Sequence, residues 1–215
     1  MDDVFSNFDI VLKAFGLTLE LLVIAGVLSL LLGTLLAAFR VGPVSVLARF
    51  GGLYVTLVRN TPLLVIFIFI FFGLPKLDVH LPFLLKGTLA LTLYTSAFVC
   101  EAMRSGINAV SVGQAEAARA IGLTFGQTMQ LVVLPQALRA VVPPMASVLI
   151  ALAKNTSVAA GFGLAEATAR MRGFSNDNAD SRTLIFLTFA IGYIVIVEVI
   201  STGAFGLERR WKAAR

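Results

Sequence analysis

Residues 116–135 of the chain, EAARAIGLTFGQTMQLVVLP, form a modestly polar stretch between two long apolar segments. A capping box is possible at residues 111–114 (SVGQ) and again at residues 124–127 (TFGQ), and each would begin a short helix. Gly122 can adopt the left-handed conformation that closes the first helix, and Pro135 cannot continue the second. The sequence therefore predicts two short helices with a joint at Gly122.

The composition indicates a membrane protein rather than a soluble domain. Of the 215 residues, 58% are hydrophobic and 13% are charged, whereas an ordinary soluble domain carries about a quarter charged residues. The net charge of +5 is interpreted as a signal of membrane topology, not of nucleic-acid binding. Cys100 is the single cysteine, so the sequence predicts neither a disulfide framework nor a thiolate metal site.

Long apolar runs mark the segments that cross the bilayer. A spanning helix needs about 20 residues, because each residue advances the helix by about 1.5 Å. The runs predict an all-α membrane protein with one transmembrane domain over residues 1–215, in which a polar segment of about 108–135 separates the third and fourth spans. The five predicted spans cover residues of about 10–38, 52–74, 84–104, 138–162 and 183–206.

The distribution of charged residues orients the spans, since loops on the cytoplasmic side carry an excess of lysine and arginine. With the N-terminus outside and the C-terminus in the cytoplasm, most arginines of the loops fall on the inner side. These inner arginines are Arg40, Arg49, Arg104, Arg119, Arg139, Arg209, Arg210 and Arg215. This orientation in the plasma membrane places the polar segment in the cytoplasm.

An apolar stripe runs along the polar segment, and two interpretations of it are open. Its residues recur at spacings of three or four, as on one face of a helix: Ala117, Ile121, Phe125, Met129 and Val132. A helix that lies on the membrane surface is usually rich in lysine and arginine on its polar face, and this segment is not. The pattern therefore favours a docking element that a cytoplasmic partner holds.

The spacing of this segment resembles the EAA motif of ABC importer permeases. The motif residues are Glu116, Ala117 and Ala118, then Gly122, then Leu134 and Pro135, with Val132 in the place of the usual isoleucine. Further stretches resemble the permeases for polar amino acids: RNTPLLV at 59–65, FFGLP at 71–75, YTSAFVCEAMRSGI at 94–107 and LPQALRAVVPP at 134–144. Within that family, the chain is most similar to the glutamate permeases of actinobacteria.

The resemblance implies a type I ABC importer permease fold with five transmembrane helices and cytoplasmic coupling helices. In this family the EAA segment sits in a groove of an ATPase subunit, which assigns ATPase coupling to Glu116, Ala117, Ala118, Gly122, Leu134 and Pro135. The resemblance also implies two ATP-binding subunits, an extracellular substrate-binding protein and a second permease chain, all assembled around a bundle embedded in membrane lipid. The similarity to glutamate systems favours a paralogue as the second permease.

Transport of an amino acid follows from the same resemblance, with glutamate as the first expectation and glutamine or another polar amino acid as the alternative. The chain contains no GxxxxGK[ST] phosphate-binding loop. ATP hydrolysis is therefore expected in the partner subunits, and the chain itself is expected to be no enzyme and to hold no cofactor or metal. An ion-coupled secondary transporter is the less favoured class, because such transporters often contain inverted repeats and this sequence shows no internal repeat.

Charged residues inside the predicted spans indicate functional or bundle-stabilising sites, because charge is costly at membrane depth. Lys154 lies in the fourth span and is followed by Asn155 and Thr156. One interpretation places these three residues on the substrate pathway, where Lys154 or its neighbours contact a carboxylate. The other interpretation pairs Lys154 with Glu20 or Glu198 inside the bundle. The sequence leaves both open.

Further polar positions carry separate expectations. Arg59, with Thr61 in the RNTP stretch, is a second candidate for the substrate pathway, although anchoring at the cytoplasmic surface accounts for Arg59 slightly better. Glu101 and Arg104 lie three positions apart on one predicted helix, which predicts a local salt bridge. Glu166 is expected in an outer loop, where it meets the external binding protein or solvent.

Overall fold

The computed structural model describes residues 8–213, with side chains up to residue 210. The two ends of the predicted domain, residues 1–7 and 214–215, lie outside this range. Within it the regular secondary structure is helical, as predicted. The α-helices are α1 (Phe8–Val41), α2 (Ser45–Arg59), α3 (Leu63–Ile68), α4 (Phe83–Asn108), α5 (Val112–Ala120), α6 (Phe125–Thr128), α7 (Leu134–Asn155), α8 (Ala167–Asp177) and α9 (Arg182–Ala213), the last preceded by a 3-10 turn, Ala179–Ser181.

Wider and tighter helical turns extend some of these helices without interrupting the chain path. A π-helical turn, Phe69–Gly73, and a 3-10 turn, Leu74–Leu77, continue α3. A second π-helical turn, Met129–Val133, joins α6 directly to α7, and a 3-10 helix, Thr156–Phe162, prolongs α7. The helical path Phe125–Phe162 is therefore one candidate span of 38 residues.

Four helical paths in the described part of the chain are long and apolar enough to cross a membrane. They are Phe8–Val41, Phe83–Asn108, Phe125–Phe162 and Ala179–Arg210. These paths contain the first, third, fourth and fifth predicted spans. All four extend beyond the predicted bounds at one or both ends.

The second predicted span, by contrast, is broken. Its two limbs, Ser45–Arg59 and Leu63–Lys76, meet at an angle of 100°. Pro62 lies at the break, since it lacks an N–H and its ring disfavours the helical conformation at Thr61. The Thr61 hydroxyl donates a hydrogen bond to the carbonyl of Leu57 at 2.8 Å. The chain therefore makes five crossings only if the two limbs together form one span.

Helices α1 and α4 run in the same direction, since Gly87 lies beside Leu21 and Gly33 lies beside Val99, and their ends define two ends of the bundle. The linker end carries residues 109–124, and the α8 end carries α8. Contacts between distant residues show this arrangement. Thr18 of α1 meets Glu166 at the α8 end, whereas Arg40, near the other end of α1, meets Glu101 of α4 at the linker end.

Helix α4 lies at the centre of the bundle and packs closely against α1 and α7. A Cβ atom added at Gly33 of α1 would lie 2.5 Å from the Cβ of Val99 in α4. A Cβ atom added at Gly106 of α4 would lie 2.2 Å from Val141 Cγ2 and 2.9 Å from the carbonyl oxygen of Ala137, both in α7. Small residues of this kind allow helix backbones to approach closely in a membrane.

Three apolar clusters fill the bundle from one end to the other. The central cluster includes Leu21, Phe67, Leu91, Leu152 and Leu164. The cluster at the α8 end includes Val11, Ala167, Ile185 and Phe189, and the cluster at the linker end includes Leu36, Val55, Ala97 and Cys100. Each cluster draws on helices that are distant in sequence, and α9 contributes to the cluster at the α8 end.

We predict that Gly106→Ala lowers the stability of the protein, because the added methyl group overlaps Val141 and the backbone of Ala137. Overpacking of this kind costs about 1–3 kcal/mol, which should lower the melting temperature of the purified protein measured by circular dichroism. Gly52→Ala is the matched control, since a Cβ at Gly52 in α2 meets nothing within 4 Å. Equal melting temperatures for the two variants would contradict the close packing of α4 on α7.

Candidate functional site

A two-helix segment at the linker end consists of α5, a turn at Gly122 and α6. Gly122 has a φ of +91°, the left-handed conformation that was predicted to close α5. Thr124 begins α6 with a complete capping box. Its hydroxyl accepts a hydrogen bond from the Gln127 N–H at 3.3 Å, and the Gln127 side chain accepts one from the Thr124 N–H at 2.9 Å. The predicted joint and the predicted start of the second helix are both confirmed.

Two other local predictions for this segment are wrong. Ser111 precedes α5 without a side-chain capping bond, and Gln114, its predicted partner, accepts a hydrogen bond from the Gln136 side chain of α7. Pro135 does not end the helical path. It lies in the first turn of α7, directly after the π-helical turn Met129–Val133. The Gln136 side chain also donates to the Val132 carbonyl at 2.8 Å, so α5 is tied to the start of α7.

The residues of the EAA motif differ in exposure. Glu116, Ala117, Gly122 and Pro135 are exposed, Leu134 is half-buried and Ala118 is buried. Two members of the predicted apolar stripe, Ile121 and Phe125, are 80% and 54% exposed. The described chain therefore leaves apolar surface uncovered around the motif, as surfaces that meet another molecule do.

Glu101 of α4 binds three arginines from three helices near the linker end. Arg104 of the same helix donates to its Oε2 at 3.0 Å, which confirms the predicted local salt bridge. Arg40 of α1 forms a hydrogen-bonded ion pair with Oε1. Arg59 of α2 lies 3.7 Å from Oε2. One carboxylate thus joins α1, α2 and α4, and the three arginines leave the cluster with excess positive charge.

Arg59 and Thr61, two of the predicted pathway residues, lie at the break between α2 and α3. The Arg59 guanidinium is 5.5 Å from the centre of the Phe98 ring in α4, in addition to its ion pair with Glu101. The Thr61 hydroxyl donates its hydrogen bond to the Leu57 carbonyl. Both residues have partners within the chain, and their place beside α4 agrees with an anchoring role for Arg59.

Helix α7 lies between two cavities, and consecutive candidate residues line different ones. The α7–α9 cavity has a volume of about 490 Å³, and its polar lining residues are Lys154, Ser157, Thr168, Tyr193 and Glu198. The α4–α7 cavity has a volume of about 390 Å³, and its lining includes Tyr94, Thr95, Phe98, Ser147 and Asn155. Consecutive helical residues lie about 100° apart around the axis, which separates Lys154 from Asn155.

The structure tests the interpretation in which Lys154 pairs with Glu20 or Glu198. Within the described part of the chain, no ion pair involves Lys154, Glu20 or Glu198, and all three residues are exposed. The pairing that would stabilise the bundle is therefore wrong. Thr156 is fully buried, and its hydroxyl donates to the Ala153 carbonyl at 2.7 Å, so it faces neither cavity.

Sequence reasoning missed the role of Glu166. The expectation of an exposed outer residue is wrong, since Glu166 is 0% exposed. Its carboxylate accepts hydrogen bonds from the Ala169 N–H at 3.0 Å, the Tyr193 hydroxyl at 2.8 Å and the Thr18 hydroxyl at 3.4 Å. It caps α8 in this way and ties it to α1 and α9. Glutamate is not a usual N-cap residue, so the local sequence contains no signal for this role.

Comparison with known proteins identifies the family. Residues 29–213 match the model of a family described as the binding-protein-dependent transport system inner membrane component. This match covers most of the chain, and the chain belongs to that family. The resemblance noted in the sequence is thereby confirmed.

Curated relatives and a solved structure match nearly the whole chain. The glutamate transport system permease protein GluC of Corynebacterium efficiens is 39% identical over 207 residues, which cover 89% of this chain and 90% of the relative. The probable glutamine ABC transporter permease protein GlnM of Bacillus subtilis is 39% identical over 213 residues, or 96% and 95% of the two chains. The crystal structure of an amino acid ABC transporter with histidines matches with a TM-score of 0.89 at 27% identity, over 96% of both chains. The predicted type I importer permease fold is confirmed.

We predict that Glu101→Gln destabilises the protein more than Arg59→Gln does. Loss of the carboxylate leaves Arg40, Arg59 and Arg104 without their shared counter-charge, whereas loss of Arg59 removes the longest of the three contacts. We expect about 1–3 kcal/mol for Glu101→Gln, between the values for exposed and for buried pairs. Thermal unfolding of the two purified variants measures the difference, and an equal or larger effect of Arg59→Gln would contradict the central role of Glu101.

Proposed function

We propose that this chain is a permease subunit of an ATP-driven importer for a polar amino acid, with glutamate and glutamine as the candidate substrates. The observation that carries the proposal is the exposed two-helix segment with EAA spacing, which retains apolar surface for a partner. Membership of the transport family supports the proposal. Relatives named as glutamate and glutamine permeases support the choice of substrate class.

The two-helix segment is connected to the bundle in a way that can transmit motion. Its second helix, α6, continues through the π-helical turn into α7 without a break, so a displacement at Phe125 is carried along one helical path to Asn155. The Gln114–Gln136 hydrogen bond ties α5 to the same path. Movement of an ATPase that holds Glu116, Ala117 and the exposed apolar side chains would therefore change the two cavities that α7 lines.

The remaining partners and the orientation belong to the same proposal. The linker end lies in the cytoplasm, with the N-terminus outside and the C-terminus inside, because the arginine cluster around Glu101 lies at the linker end. Two ATP-binding subunits dock there. An extracellular binding protein meets the α8 end, and a second permease chain, a paralogue of this one, completes the pathway across the membrane.

Lys154 and Asn155 are the strongest candidates for the substrate pathway, because each lines a cavity beside α7. Arg59 contributes near the linker end, beside the Phe98 ring that borders the α4–α7 cavity. Thr61 and Thr156 use their hydroxyls on backbone carbonyls. We assign these two residues to shaping the pathway helices, not to contact with substrate.

Reversal of charge at the motif tests the docking proposal. We predict that Glu116→Lys lowers recovery of the ATP-binding subunit by at least about tenfold, or about 1.4 kcal/mol, because Glu116 is exposed on α5. Co-purification of the assembled complex from membranes measures the recovery. Asp177→Lys is the matched control, since it makes the same charge change on an exposed residue at the α8 end. Unchanged ATPase recovery and unchanged uptake in Glu116→Lys would overturn the proposed docking.

The energy source is tested on the complete complex. We predict that the complex with its binding protein, reconstituted in proteoliposomes, accumulates labelled glutamate or glutamine only when ATP is present on the side of the ATP-binding subunits. Dissipation of proton and sodium gradients should leave the initial rate unchanged. Uptake that instead follows an imposed ion gradient without ATP would place the chain among secondary transporters.

A further inference from the structure

The α7–α9 cavity contains two charged side chains of opposite sign that do not pair with each other. Lys154 comes from α7 and Glu198 from α9, and both line the cavity. Both are exposed, and within the described part of the chain neither forms an ion pair. Unpaired charges at membrane depth are expensive and mark functional positions. A bound molecule with one negative and one positive group could form an ion pair with each of the two side chains.

We infer that this cavity recognises an amino-acid zwitterion, in which Lys154 binds the carboxylate and Glu198 binds the ammonium group. The cavity also prefers a substrate whose side chain donates hydrogen bonds and carries no negative charge. It rests on the proposed function, because it concerns the substrate of the same transporter. Apolar residues such as Met171 and Phe189 form the rest of the wall and provide surface for the aliphatic part of the substrate.

The preference for a donor follows from the hydroxyl groups of the cavity. The Tyr193 hydroxyl donates to Glu166 at 2.8 Å. Its oxygen, 3.0 Å from the Thr168 hydroxyl, therefore accepts the hydrogen bond of Thr168. The Ser157 hydroxyl donates to the Lys154 carbonyl at 2.7 Å. All three hydroxyl hydrogens are used inside the chain, so these groups present oxygen lone pairs to an occupant.

The charges around the cavity also favour a substrate side chain without negative charge. Lys154 is the one cation among its described lining residues, and Glu198 is an anion. Glu166, fully buried behind Tyr193, accepts three hydrogen bonds and adds no cation to the cavity. Glutamine, whose amide donates and whose net charge is zero, fits this surface. Glutamate would bring a second carboxylate that has no cation of its own among the described lining residues, so the inference favours glutamine over glutamate, the reverse of the order expected from the sequence.

Equilibrium binding to the permease–ATPase complex in lipid nanodiscs, without the external binding protein, tests the inference directly. The probes are labelled L-glutamine, L-glutamate and N-acetyl-L-glutamine, which lacks the ammonium charge. We expect glutamine to bind at least about tenfold more tightly than either of the other two, since each of them loses a charge-assisted contact or adds an unpaired charge.

Substitutions in the cavity should change this pattern in defined ways. Lys154→Met should weaken glutamine binding at least about tenfold. Glu198→Gln should weaken glutamine binding to a similar extent and reduce the preference for glutamine over N-acetylglutamine. Glu20→Gln is the matched control, because Glu20 is an exposed carboxylate of α1 that does not line the cavity, and it should bind all three probes as the unmodified complex does.

Three results would overturn the inference: no glutamine binding to the unmodified complex, glutamate binding as tight as glutamine binding, or equal effects of Glu198→Gln and Glu20→Gln. Loss of the second permease chain from both cavity variants would also overturn it, since the two charges would then serve assembly. ATP-driven uptake by the unmodified complex tests the proposed function separately. If the unmodified complex takes up substrate and the cavity variants bind glutamine normally, the proposed transport function is kept and only the α7–α9 binding site is rejected.

Discussion

The close contact of α4 with α1 and α7 is the constraint on which the rest of the structure depends. At Gly33 and Gly106 no side chain fits between the helices, so their backbones lie against one another. This contact holds Glu101 of α4 within reach of arginines from α1 and α2. Further along α4 and α7, the same two helices enclose the cavity lined by Tyr94 and Asn155.

Two sets of charged side chains within the spans differ in whether they are paired inside the chain. Glu101 is surrounded by cations from three helices, and its interactions are completed inside the chain. Lys154 and Glu198 share a cavity without an ion pair in the described chain. Because an unpaired charge is costly away from water, we attribute stability of the bundle to the first set and propose substrate binding for the second.

Residues 111–135 show where capping and proline patterns read from the local sequence fail in this chain. Thr124 and Gln127 form the predicted capping box because both partners lie within one helical turn. Gln114 satisfies an equally good pattern, but Gln136 of α7 takes its side chain. Pro135 was expected to end a helix and instead lies in the first turn of α7. Helices α6 and α7 therefore form one helical path, and the proposed transfer of motion requires such a path.

The sequence by itself determined the helical class, the apolar runs of the spans, the Gly122 joint and the EAA spacing, because each depends on residues close together in the chain. Tertiary structure alone decided which charges meet. Arg40 and Glu101 are 61 positions apart, and Thr18 and Glu166 are 148 apart. No local pattern relates such residues. The burial of Glu166 and the shared cavity of Lys154 and Glu198 follow only from the way in which the helices pack around α4 and α7.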